Sequence, residues 1–157
     1  MKKALSILFL VFTTSIASAQ LEQNLSVYQG IKFLDYSAKK IDDILKGKSY
    51  EYSGTSGNFI SYNKSTQMSS YNFTVGIRNS KVTVVSWDEF VGNFDTIRNS
   101  LIDMGFKATQ SSSGYENRTI IGFENLRRNL LVTLTVKGNY FTINLGVKDP
   151  KKPHTSQ

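Results

Sequence analysis

Cysteine is absent from all 157 residues, so no disulfide framework can staple the fold and no thiolate can act as nucleophile or zinc ligand. Histidine occurs once, as His154, in a C-terminal stretch that offers it no packed neighbour. Ser-His-Asp and Cys-His catalytic arrangements are thereby excluded, as is a zinc site of usual composition. Both prolines, Pro150 and Pro153, lie in the same stretch. Glycine is present, but Gly54 and Gly57 in SGTSGN are not followed by Lys-Ser/Thr and do not open a helix, so a phosphate-binding loop is missing. No apolar run is long enough to cross a bilayer comfortably. Nothing in these absences points to a cofactor.

The first nineteen residues have the form of an export signal. Lys2 and Lys3 make a positive start, Ala4 to Phe12 an apolar run, and Ala17-Ser18-Ala19 a small-residue cleavage site, with the cut expected before Gln20. The style is bacterial, and the expected destination is the periplasm or the exterior. No cysteine follows the cut, which excludes attachment of the bacterial lipoprotein type. Of 19 basic residues two go with the signal, leaving 17 against 12 acidic ones, a mild formal charge of +5. The remaining chain suits one domain, with residues 148–157, KDPKKPHTSQ, expected to form a disordered basic tail.

Alternation is the clearest pattern in that domain. Val132, Leu134 and Val136 alternate with Thr133 and Thr135, and Phe141, Ile143 and Leu145 alternate with Tyr140, Thr142 and Asn144. Period two predicts strands with one buried face, and Lys137-Gly138-Asn139 supplies a turn between them. Shifted 59 residues upstream, the pattern recurs: Phe73, Val75 and Ile77, a turn at Arg78-Asn79-Ser80, then Val82, Val84 and Ser86 as the inward set. Shorter strands are expected at 58–62 and 119–123, and further ones at 48–53 and 106–111. A helix is predicted over 27–46 from Val27, Ile31, Leu34, Ala38, Ile41 and Leu45, with a Ser26/Gln29 capping box and a stop at Gly47. A second is predicted over 88–104 from Phe90, Phe94, Ile97, Leu101 and Met104, capped by Ser86 or Asp88 and ended by Gly105.

The expected fold is therefore α+β: a tandem duplication (about 26–87 and 88–147) of a helix followed by an antiparallel meander of three or four strands. Two helices would pack on one face of a shared antiparallel sheet.

The opposite sheet face is the candidate contact surface. It should present Thr74, Gly76, Lys81, Thr83, Val85 and Trp87 from one hairpin and Thr133, Thr135, Tyr140, Thr142 and Asn144 from the other. Threonine and aromatics in that mixture suit a protein or glycan partner, and equally an ordinary solvated sheet face. Arg127 and Arg128, with Lys137, Lys148, Lys151, Lys152, Tyr115 and Tyr140, give the second half a basic character. Export argues against nucleic acid as the partner. Asp42, Asp43, Asp88, Glu89, Glu116 and Glu124 are carboxylates that a glycosidase could use, but no motif frames them. Asp95-Thr96-Ile97 resembles the short Asp-Ser/Thr-apolar acceptor motif of bacterial O-glycosylation.

The signal, the repeated helix-plus-meander and the polar sheet face together resemble the β-lactamase-inhibitor-protein-like architecture and the PepSY-like periplasmic proteins that share it. The chain departs from the inhibitor family in lacking cysteine and in its shorter halves. What the resemblance implies is a binding module with a sheet-based contact face. The expectation is an exported, non-enzymatic binding or inhibitor-like protein; a small carrier of an apolar ligand and a carboxylate hydrolase are the alternatives.

Overall fold

A computed structural model describes residues 24–67, 69–114, 118–149, 151–152 and 154. The expected export signal, Tyr115, Glu116 and both prolines lie outside these residues. Three α-helices and one eight-stranded antiparallel sheet make up the described chain: α1 (Val27–Phe33), α2 (Ala38–Gly47), β1 (Glu51–Ser56), β2 (Phe59–Ser65), β3 (Ser70–Arg78), β4 (Lys81–Phe90), α3 (Phe94–Asp103), β5 (Lys107–Gly114), β6 (Arg118–Asn125), β7 (Leu130–Lys137) and β8 (Tyr140–Val147). Strand order is β1-β2-β3-β4-β8-β7-β6-β5. Two four-stranded meanders therefore meet along β4 and β8 at the centre, with β1 and β5 at the edges.

The β7–β8 hairpin follows its alternation. Leu134 faces Ile143 and Val132 faces Leu145, all buried. Gly138 has φ +62, as the first position of a type II′ turn requires. In the β3–β4 hairpin Asn79 and Ser80 both have left-handed φ, the form of a type I′ turn.

The inward set of β4 differs from the expected one. Gly76 pairs with Val84 but Ile77 pairs with Val82, so Thr83 is an extra residue, a β-bulge. Past that point the faces exchange. Val85, Trp87 and Glu89 point into the core, whereas Val84, Ser86 and Asp88 lie on the other face, and Trp87 and Val85 are 0% exposed. Val85 and Trp87 are therefore core residues and not surface ones. Gly76 is buried too, covered by the Phe59 ring and Val84.

The helix expected over 27–46 is two helices. The N–H groups of Leu34, Asp35 and Tyr36 turn back to carbonyls three residues earlier, and Ser37 Oγ accepts from Lys40 N at 3.3 Å to start α2 afresh. The break lets Phe33, which lies off the apolar stripe, bury its ring edge-on against Phe73 at 5.6 Å. The expected capping box of Ser26 and Gln29 is present. The helix expected from residue 88 begins only at Phe94, because pairing with β8 carries β4 on through Phe90, opposite Tyr140. Ser86 and Asp88 are thus strand residues and not caps. Gly105 does end α3, with φ +80.

Side chains from all three helices join the inward strand residues in one hydrophobic cluster. One close contact is between α1 and β4. A Cβ on Gly30 would stand 2.7 Å from Trp87 Cη2, so the indole lies directly against the helix backbone. No helix among the described residues is long and apolar enough to cross a membrane.

Gly30→Ala is accordingly expected to cost about 1–3 kcal/mol in urea melts through overpacking. Combining it with Trp87→Phe should cost less than the sum of the two single changes, since the smaller ring leaves room for the methyl. Strict additivity would show that the two do not touch.

Candidate functional site

Register across the sheet places residues of the second face in rows. One row crosses six strands through Ser61, Thr74, Ser86, Asn144, Thr133 and Gly122, a band of five polar side chains and a glycine. Beside it, towards the β3–β4 turn, run Phe59, Gly76, Val84, Gly146, Leu131 and Glu124. Phe59 is 49% and Leu131 39% exposed, and neither belongs to the core cluster. With no side chain at Gly146, a depression of about 300 Å³ opens there between Val84, Leu131 and Val147, with Arg78 at its rim.

On the other side of the polar band run Asn63, Asn72, Asp88, Thr142 and Thr135. Asp88 organises this row. Its carboxylate accepts from Asn72 N at 3.1 Å and Asn72 Nδ2 at 2.8 Å on one oxygen, and from Thr142 Oγ1 at 2.8 Å on the other. Asn63 Nδ2 in turn donates to Asn72 Oδ1 at 3.2 Å. Thr142 is thus tied to its own sheet. Tyr140 is half-buried as well: its hydroxyl is hydrogen-bonded to Ser69 Oγ, and its ring meets Tyr71 at 5.8 Å and Phe90 at 6.1 Å, edge-on in both cases.

Among the expected site residues, Thr133, Thr135, Tyr140 and Thr142 share the second face. Trp87 does not, being in the core. Arg127 and Arg128 sit in the β6–β7 turn, at the end of the sheet remote from Tyr140, so the seven do not form one cluster. The Arg128 backbone N–H donates to Asn125 Oδ1 at 3.0 Å, which fixes the turn. Thr96 is exposed on α3, next to Asp95, whose carboxylate lies 3.2 Å from Arg98.

The carboxylates are dispersed in role. Asp42 pairs with Lys46 at 2.6 Å and Glu124 with Lys148, while Asp88 and its neighbour Glu89 point to opposite faces. Glu89 is the one that sequence reasoning placed least well. It is 1% exposed, and it accepts from Asn24 N at 3.0 Å, Asn93 Nδ2 at 3.0 Å and Phe90 N at 3.3 Å. The residue thereby ties the segment before α1 to the junction between β4 and α3. Burial pushes its carboxyl above the usual carboxylate range, against the opposing pull of those N–H donors.

Comparison with known proteins gives no match: no family model fits the chain, and neither the curated proteins nor the solved structures yield a similar one.

Because the folded state raises the Glu89 pKa, its contribution to stability is fully present below the usual carboxylate range and is lost as pH rises through the raised value. Glu89→Gln should remove this component, so the wild-type minus variant difference in unfolding free energy should fall as pH rises across that window. Glu89→Ala should cost about 1–3 kcal/mol by stranding Asn93 and the backbone donors. A difference that rises with pH instead would mean that the N–H donors outweigh burial.

Proposed function

We propose that this chain is an exported, non-enzymatic binding or inhibitor-like protein that engages a protein or glycan of the cell envelope or exterior through the second face of its sheet. The observation that carries the reading is the composition of that face. A band of polar side chains spans five strands, exposed Leu131 lines a depression of about 300 Å³ beside it, and exposed Phe59 lies in the same cross-strand row as Leu131. Small side chains let a partner backbone or sugar ring approach closely, and the apolar flank supplies an anchor. Export rests on the signal-like first nineteen residues.

We further infer that the two meanders descend from one duplicated unit, the reading suggested by the 59-residue recurrence of the alternation in the sequence. The starts of β2, β3 and β4 recur in β6, β7 and β8 after 59, 60 and 59 residues, and those of α2 and β1 recur in α3 and β5 after 56.

Retention of the protein on an isolated cell-envelope fraction tests the contact face. Thr74→Arg and Thr133→Arg, which put bulk and charge into the polar band, should each weaken retention by about 2 kcal/mol or more, some thirtyfold. Asp43→Arg on α2 adds the same residue elsewhere and should leave retention unchanged. Equal effects from all three would refute the assignment of the sheet face.

A further inference from the structure

We propose that the end of the sheet at the β3–β4 turn is a phosphate-binding site, in which Arg78, Lys81, Lys151 and Lys152 grip a phosphate carried by a soluble phosphoester or by a lipid headgroup. Arg78 and Lys81 are direct cross-strand partners on either side of the Asn79-Ser80 turn. Like charges placed opposite each other destabilise a hairpin, and both turn residues hold left-handed φ without being glycine. The type I′ turn suits the twist of the strands, but the like-charge pair beside it is a local cost to the hairpin.

The C-terminal segment adds two more cations by hydrogen bonding rather than by charge attraction. Asn129 Nδ2 donates to Asp149 O at 2.9 Å and Lys152 O at 3.0 Å, and Asn129 Oδ1 accepts from Asp149 N at 3.0 Å. Asn129 O also accepts from Lys148 N at 2.9 Å. These bonds fix the backbone from which Lys151 and Lys152 project.

None of the four cations has a carboxylate within ion-pair distance among the described residues, whereas Lys46, Arg98 and Lys148 all do. The two carboxylates nearby are engaged. Asp149 Oδ1 accepts from Lys151 N at 3.0 Å, and Asp35 lies 2.9 Å from His154 Nε2. This contact also corrects the expectation that His154 has no packed neighbour.

There is room for a ligand between these groups. Lys81, Lys151, Lys152 and His154, with Tyr36 and Asp35, line a cleft of about 690 Å³, and Arg78, Lys81 and Lys151, with Asp149, line an adjoining one of about 370 Å³, so the cations outnumber the carboxylates in both. That space accommodates a phosphate together with the group that carries it. A doubly charged phosphate with three acceptor oxygens matches convergent ammonium and guanidinium donors, where a single carboxylate would leave most of the charge uncompensated.

The test uses pyrophosphate and phosphatidic acid vesicles, whose headgroup is a phosphomonoester, as probes of the full-length chain. Pyrophosphate should raise the melting temperature in a concentration-dependent way. Lys81→Gln combined with Lys152→Gln should weaken its binding about tenfold or more, the scale of losing charged hydrogen bonds. Lys39→Gln combined with Lys107→Gln removes equal charge elsewhere and should have no such effect. Binding of pyrophosphate assigns a soluble phosphoester, and binding of the vesicles alone, with the same sensitivity to Lys81 and Lys152, assigns a headgroup. Failure of both probes, or equal weakening by the two variant pairs, overturns the proposal.

Discussion

The fold depends on the seam where Trp87 lies against the backbone of Gly30. β4 is a central strand, and the bulge at Thr83 rotates its second half so that the indole enters the core instead of leaving it. An indole is the largest side chain available, and it fits only because α1 presents a glycine at the point of contact. The same rotation turns Glu89 inward, where it collects donors from the chain before α1 and from the turn before α3. One extra strand residue thus sets the position of two helices.

Those constraints also define what the protein leaves open. Once Val85, Trp87 and Glu89 are inside, Val84, Ser86 and Asp88 line up on the second face with residues from β8 and β7. Asp88 then ties β3, β4 and β8 together through Asn72 and Thr142, which holds that face in a fixed shape. A preorganised surface loses little entropy on binding, which suits the contact face proposed above.

Much of this was legible in the sequence. Alternation located β7 and β8 and assigned Leu134, Ile143 and their neighbours to the core, because both faces there have distinct polarity. Stripes of apolar residues found the helical material, and the stop at Gly105 held, whereas α2 runs through Gly47 and the left-handed position after it falls to Ser49. Three things were not legible, each for a physical reason. The run Val82-Thr83-Val84-Val85 is apolar on both faces, so nothing in it marks a bulge. Trp87 was expected outside because unbroken alternation from Val82 puts it there, and its Nε1 is buried without a hydrogen-bond partner among the described residues, against the usual preference of an indole. The break at Leu34–Ser37 and the late start of α3 follow from tertiary pairing, with Phe73 and β8 respectively, which local periodicity does not encode. The proposed anion cleft escaped for a similar reason: Lys81 and Lys152 are distant in sequence and line one cleft while Asn129 holds the C-terminal segment down.

The account stands on which face of β4 is which, and the absence of cysteine makes this directly measurable. Ser86→Cys and Val85→Cys introduce one thiol each at adjacent positions, and maleimide labelling of the folded protein reports which is accessible. The structure predicts rapid labelling of Ser86→Cys and protection of Val85→Cys until the protein is unfolded. Protection of Ser86→Cys with rapid labelling of Val85→Cys would remove the bulge, place Trp87 on the surface and contradict the proposed contact face.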